Sequence, residues 1–278
     1  MLILEILKAI FIGIVEGITE WLPVSSTGHM ILVDEFIKIK MSEEFRELFL
    51  VVIQLGAILA VPVLFWNKLN PFSRKKTKTE QRATWNLWGK VIVGVLPAAV
   101  MGLLLDDFLD EHLYNYIVVS IALVVYGIAF ILVEKFNKNK SYRIEDVHDL
   151  TYKDAVVIGA FQVLSLIPGT SRSGSTILGG MLTGVSRTAS AEFSFFMAIP
   201  VMLGASLLKV VKFFAEGYTA TGDELLILTI GIVVSFVVSL IAIKFLMNFV
   251  KKHSFTPFGI YRIVLGIAVI GYFLIKTF

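Results

Sequence analysis

The sequence predicts an all-α, polytopic membrane protein with six transmembrane helices and two re-entrant helical hairpins arranged as an inverted-topology repeat. Three observations point there. The 278 residues are 56% hydrophobic and only 17% charged, against ~25% charged in an ordinary soluble domain. Six apolar stretches approach the roughly 20 residues that a helix needs to cross a bilayer. Two further apolar stretches are broken by proline before they can cross, and they resemble each other.

In chain order, the first broken stretch lies within residues 1–40 and is interrupted at Pro23. The spans lie near residues 48–66, 87–105, 117–133, 193–214, 225–249 and 260–276. Loop charge orients them, because Lys and Arg accumulate on the cytoplasmic side. The 67–90 loop holds seven Lys/Arg against one acid, Glu80, and is expected inside. The 106–116 loop holds Asp106, Asp107, Asp110 and Glu111 with no Lys or Arg, and is expected outside. The 134–154 segment, with five Lys/Arg, returns inside. The 215–224 loop, with Glu216, Asp223 and Glu224, is expected outside, and Lys251 and Lys252 inside, which leaves the C-terminus outside. Lys209 and Lys212 run against this pattern, near an end expected outside.

The second broken stretch, residues 155–167, is 13 residues long and meets Pro168-Gly169; as helix it reaches about 20 Å. Parity puts both of its flanks, Lys153 and Arg187, inside, so residues 155–186 are expected to dip in and return. By the same parity residues 1–40 dip from outside. Irregular backbone at membrane depth is tolerated only beside protein or a wet cavity, so the two tips are expected to meet near the middle. An internal repeat agrees. At an offset of 146 residues Gly13 meets Gly159, Glu16 meets Gln162, Ser25 meets Ser171, Thr27 meets Ser173 and Gly28 meets Gly174. Both turns are followed by Ile-Leu, at 31–32 and 177–178. The chain therefore reads as one integral membrane domain, 1–278. Its halves, roughly 1–135 and 150–278, are joined by a polar cytoplasmic segment.

Composition also excludes functions. With no cysteine there is no disulfide scaffold, thiol nucleophile or Cys-ligated metal. The four histidines, His29, His112, His148 and His253, form no HExxH, so a His-built metal site is not expected. A net charge of +3 gives no reason to invoke nucleic acid. Glu5 and Glu16 inside the first apolar stretch argue against a cleavable signal.

Two clusters carry the chemistry. The first is Glu16-Gly-Ile-Thr-Glu20-Trp-Leu-Pro-Val-Ser25-Ser26-Thr27-Gly28-His29. Glu16 and Glu20, spaced i, i+4, share a helix face, where like charges repel unless a cation lies between them. The Ser25-Ser26-Thr27-Gly28 turn offers hydroxyls and backbone N–H groups to an anion. The second is Pro168-Gly169-Thr170-Ser171-Arg172-Ser173-Gly174-Ser175-Thr176, one guanidinium among five hydroxyls at a helix start. Helix N-termini bind anions, and Arg grips phosphate bidentately. Each residue alone admits a plain structural role, as do Trp21, Gln54 and Glu192. Ionisable groups gathered at two membrane-buried tips are harder to explain that way, because each costs about 2.5–3.5 kcal/mol without a partner. The set suits cleavage of a phosphate ester or anhydride: an acidic pair for a divalent cation, an arginine for the equatorial oxygens, a hydroxyl or water to attack. There is no Walker loop, so nucleotide hydrolysis is not expected.

EGITEWLPVSSTGH and PGTSRSGST resemble the two signature motifs of the undecaprenyl-diphosphatase (bacitracin-resistance) family of bacterial membrane lipid phosphatases. The resemblance extends over the whole chain, through Gln54 in VVIQLGAILAV and Glu192 in SAEFSFFMAIP. It implies hydrolysis of undecaprenyl diphosphate to the monophosphate carrier of cell-wall synthesis, in the bacterial plasma membrane, with a site open to the outer face. It also implies dependence on a divalent cation, Mg2+ or Ca2+. By motif position Glu16, Glu20, Ser26, His29 and Arg172 inherit catalytic roles. Glu16 and Glu20 are then the metal ligands, and Ser25, Thr27, Gly28, Gln54, Ser171, Ser173, Gly174 and Thr176 the substrate-binding set. The expected partners are a long-chain prenyl diphosphate lipid and the bilayer. A homodimer is left open. The competing reading is a lipid flippase or transporter, because inverted repeats with midplane hairpins are a transport architecture. Whether Ser26 or a water attacks is open, as is the base, with His29 and Glu20 both eligible.

Overall fold

The structure, a computed structural model, describes residues 2–277, with the side chains of Asp106, Asp107, Asp110 and Thr277 outside the described set. Among the described residues the regular elements are helices, with no strand. The elements are α1 (Leu2–Thr19), α2 (Ser26–Phe36), α3 (Glu43–Leu64), the single turn α4 (Trp66–Leu69), α5 (Lys78–Leu113), α6 (Tyr116–Asn137), α7 (Tyr152–Val163), α8 (Arg172–Leu182), α9 (Arg187–Ala215), α10 (Gly222–Val250) and α11 (Thr256–Thr277). Six of these are long and apolar enough to cross a membrane: α3, α5 up to Leu105, α6, α9, α10 and α11. They match the six stretches read from the sequence.

Helix ends depart from the apolar runs for local reasons. α5 begins at Lys78, ahead of the expected 87, because Thr77 and Glu80 form a capping box. Thr77 Oγ1 accepts from Glu80 N at 3.3 Å while Thr77 N donates to Glu80 Oε2 at 2.7 Å. At its other end α5 runs on to Leu113, so most of the expected 106–116 loop is helix. No Gly or Pro lies between Leu105 and Asn115, which caps α6 by accepting from Val118 N. The acids Asp106, Asp107 and Asp110, on which the loop's charge was read, have side chains outside the described residues.

The two broken stretches form short helix–turn–helix pairs, α1–α2 and α7–α8. α1 packs on α10 and α7 packs on α5; α3 lies against α9 and α10, α9 against α5, and α6 against α11. Several contacts bring backbones together at glycine, as in apolar helix pairs that lack a hydrophobic driving force between them. A Cβ on Gly127 of α6 would lie 2.6 Å from the Gly259 carbonyl, and one on Gly259 of α11 would lie 2.7 Å from the Gly127 carbonyl. Gly56 presses likewise on the backbone of Ile232, and Gly159 on that of Gly94.

A buried cluster that includes Trp21, Phe193, Phe195, Phe196 and Met197 fills the centre, around the ends of both pairs. Outward-facing Leu96, Val100, Leu103 and Leu104 of α5, Val233, Val237 and Ile241 of α10, and Ile260, Val264 and Ile267 of α11 remain exposed. Their helical spacing makes continuous apolar faces far larger than a soluble surface carries, which a lipid phase covers.

Candidate active site

Each helix pair turns at a serine held in the left-handed region. Among the described residues, Ser25 (φ 73°) and Ser171 (φ 72°) are the only non-glycine positions with positive φ. Such backbone is strained and persists only where its surroundings enforce it. Both serines cap the following helix: Ser25 Oγ accepts from Gly28 N, and Ser171 Oγ from Gly174 N, each at 3.2 Å. These residues are the pairs matched at the 146-residue offset. Gly169 (φ 91°) must be glycine as well, because a Cβ there would sit 2.6 Å from the Val119 carbonyl.

Glu20 joins the two turns. It continues α1 by one bond, its N donating to Glu16 O at 3.0 Å. Ser26 Oγ donates to Glu20 Oε2 at 3.0 Å, and Arg172 Nη2 donates to Glu20 Oε1 at 3.1 Å. Arg172 is held from behind: Nη1 donates to Ser194 O on α9 at 2.9 Å, and the guanidinium lies over the Trp21 ring, 5.9 Å from its centre. Arg172 Nε has no partner among the described residues. Ser173 Oγ donates to Glu20 O at 3.2 Å and lies 3.1 Å from Ser171 Oγ. Thr176 Oγ1 donates to Ser194 Oγ at 2.7 Å. A hydroxyl, a carboxylate and a guanidinium thus lie in one hydrogen-bonded chain drawn from both motifs.

The serine end of that chain opens on a cleft of about 720 Å³. Buried Glu16, together with Ser26, Thr27 and Gln54, lines it, as do the more exposed Asp34, Glu35, Glu47 and Lys209. Glu16 Oε1 is buried without a partner. Glu20, by contrast, has both oxygens engaged, and no group of three or more acidic or histidine side chains is gathered for a metal among the described residues. Of the two expected metal ligands, Glu16 thus keeps an unengaged oxygen, while Glu20 is engaged by Ser26 and Arg172. That fits an ion whose remaining ligands are substrate phosphates and water, as Mg2+ commonly arranges.

His29 is brought near the turn but not into the cleft. Its Nδ1 lies 2.7 Å from the Ser25 carbonyl, which only accepts, so that nitrogen carries a proton. Nε2 lies 2.7 Å from the Tyr261 hydroxyl on α11, and the two rings stack. This face of α2 lines a separate apolar groove with Leu22, Phe249 and Phe258. Glu192 is not among the residues lining the cleft and pairs with Lys68 at 2.6 Å. Tyr261, Arg262 and Ser194 reach the site without having been singled out. For Arg262 the signal was present, an ionisable residue inside an apolar span; for Tyr261 and Ser194 there was none.

The profile described as "Bacitracin resistance protein BacA" matches residues 9–268. A protein of Enterococcus faecalis named undecaprenyl-diphosphatase is 61% identical over 274 residues, covering 99% of both chains. Proteins of the same name from Limosilactobacillus fermentum and Lactiplantibacillus plantarum are 58% and 57% identical, each over 270 residues, covering 97% of this chain and 98% of theirs. On a match that spans both motifs and nearly every helix, the chain belongs to the bacitracin resistance protein BacA family.

Proposed function

We propose that the chain is an integral membrane phosphatase that hydrolyses undecaprenyl diphosphate to undecaprenyl phosphate and inorganic phosphate. This recycles the carrier lipid of cell-wall synthesis and confers bacitracin resistance. The observation that carries the mechanism is the Ser26–Glu20–Arg172 chain. Ser26 Oγ attacks the terminal phosphorus and its proton passes to Glu20 Oε2; the bridging P–O bond breaks, and the lipid monophosphate leaves with the electron pair. Arg172 neutralises the transferred phosphoryl group. Water then attacks the phosphoserine and the proton held by Glu20 returns to Ser26 Oγ. Both protons of the water leave with inorganic phosphate as the Oγ–P bond breaks. Glu16 is the residue that would hold a divalent cation, which supplies charge neutralisation to the diphosphate. Ser26 and Thr27 of the first turn, with Gln54, line the headgroup's path; the Ser171–Thr176 turn backs it through Arg172 and Ser173, and His29 supports the first turn through Ser25.

The two helix pairs are proposed to be re-entrant hairpins of an inverted repeat, dipping from opposite faces of the plasma membrane. Their matching left-handed caps support this. So does the exchange of partners, α1 on α10 against α7 on α5. The cleft then opens to the outer face. Purified protein in detergent, given undecaprenyl diphosphate, is expected to release phosphate. If it moves the lipid across liposomes and releases none, the transporter reading replaces this one.

A further inference from the structure

A second guanidinium lies behind both turns. Arg262 of α11 is fully buried, and no ion pair among the described residues includes it. Its Nη1 donates to Pro23 O at 3.2 Å, while Nη2 donates to Gly169 O and Thr170 O, both at 2.9 Å. The Tyr126 ring of α6 covers it, 5.6 Å from centroid to guanidinium carbon. A charge in an apolar interior is costly, and an apolar side chain on α11 avoids that cost. What the arginine gains is a fixed grip on two peptide turns that lie far apart in sequence. Its planar fork presents donors at set angles, which a single ammonium does not.

The surrounding sequence is arranged for this grip. A Cβ on Gly174 would lie 3.3 Å from Arg262 Nη1, so glycine leaves room there. Gly169, locked at positive φ, turns its carbonyl to Nη2. Pro23 lies between Glu20 and Ser26, and Thr170 lies two residues before Arg172. The Arg172–Glu20 contact must therefore close across a gap whose width Arg262 sets. We infer that Arg262 is a positioning residue, bridging the two turns so that Ser26, Glu20 and Arg172 stay in one hydrogen-bonded line. This deepens the proposed phosphatase reading and rests on it for its kinetic consequence.

The test compares Arg262→Lys and Arg262→Met, purified in detergent, by phosphate release from undecaprenyl diphosphate and by thermal midpoint. Misplacement of catalytic groups by about 1 Å costs on the order of 100-fold. Accordingly kcat is expected to fall about 100-fold in the Met variant and about 10-fold in the Lys variant, which still reaches one turn. KM should stay within about threefold, since no contact to substrate is lost. If kcat of the folded enzyme is unchanged and only the midpoint drops, Arg262 is a packing residue and the inference fails. A raised KM with intact kcat would make it a substrate ligand and would also overturn it. A structure of each variant decides independently of turnover. The Arg172–Glu20 contact is expected to open beyond hydrogen-bond distance, and turns left in place refute the inference. A wild-type protein that releases no phosphate defeats the phosphatase reading instead, with the structures still judging the bridge.

Discussion

Ser26 and Arg172 hold opposite oxygens of one carboxylate, so each can be removed with a different expected result. Ser26→Ala takes away the nucleophile and leaves the Arg172–Glu20 pair; turnover should fall by several orders of magnitude, about 10³-fold or more, while the lipid still binds. Retention of a tenth of the activity would make the serine a phosphate ligand and water the attacking group. Arg172→Lys should be nearly as damaging as Arg172→Ala, because one arginine here serves Glu20 and Ser194 O together, and a point charge does not reproduce two fixed directions. Near wild-type kcat in the Lys variant would reduce Arg172 to a general attractor of anions. These residues were legible in the sequence because hydroxyls, carboxylates and a guanidinium in apolar surroundings need a reason. Which of them touch was not. The sequence leaves the base unsettled between Glu20 and His29, with the carboxylates favoured for the proton and His29 assisting, and the tertiary fold gives the two residues different neighbours. Glu20 meets Ser26, whereas the His29 ring is turned toward Ser25 O and Tyr261, a partner 232 residues away.

Helix existence was read from apolar runs, and helix ends were missed where polar caps extend a helix beyond its apolar part. Thr77-Lys-Thr-Glu80 and Thr221-Gly-Asp-Glu224 are capping boxes, a signal present in the sequence but outweighed by hydropathy. What no single-chain pattern revealed is the pairing of elements through glycine. Gly56 of α3 lies on the backbone of Ile232, whereas a methyl group on Gly204 of α9 would meet no atom of the described residues within 4 Å. The same substitution should therefore act with opposite sign. Gly56→Ala wedges α3 from α10 and is expected to cost about 1–3 kcal/mol. Gly204→Ala is expected to stabilise by about 0.5–1 kcal/mol through helix propensity. Thermal unfolding in one detergent measures both, and equal shifts would show that α3–α10 packing yields freely to a methyl group.

At the scale of the molecule, the expected topology rests on charge at the ends of the spans and in the segments between them. The stretch 67–90 carries seven Lys/Arg, and those described as exposed, such as Arg74, Lys75 and Lys78, flank the start of α5. The two lysines that oppose the pattern, Lys209 and Lys212, are not bare charges. Lys209 pairs with Glu47 at 2.6 Å and Lys212 approaches Glu216 at 4.0 Å. The counterpart is the acidic rim of the cleft, Asp34, Glu35 and Glu47, at the same end as Lys209. Orientation thus decides which compartment the cleft faces, and it is directly measurable because the native chain contains no cysteine. A single cysteine replacing Lys75 should resist an impermeant maleimide in intact cells and react after permeabilisation. One replacing Glu216, exposed at the end of α9, should react in intact cells. Labelling at 75 from outside would invert the assignment, place the cleft toward the cytoplasm, and require the diphosphate to be presented from the inner leaflet.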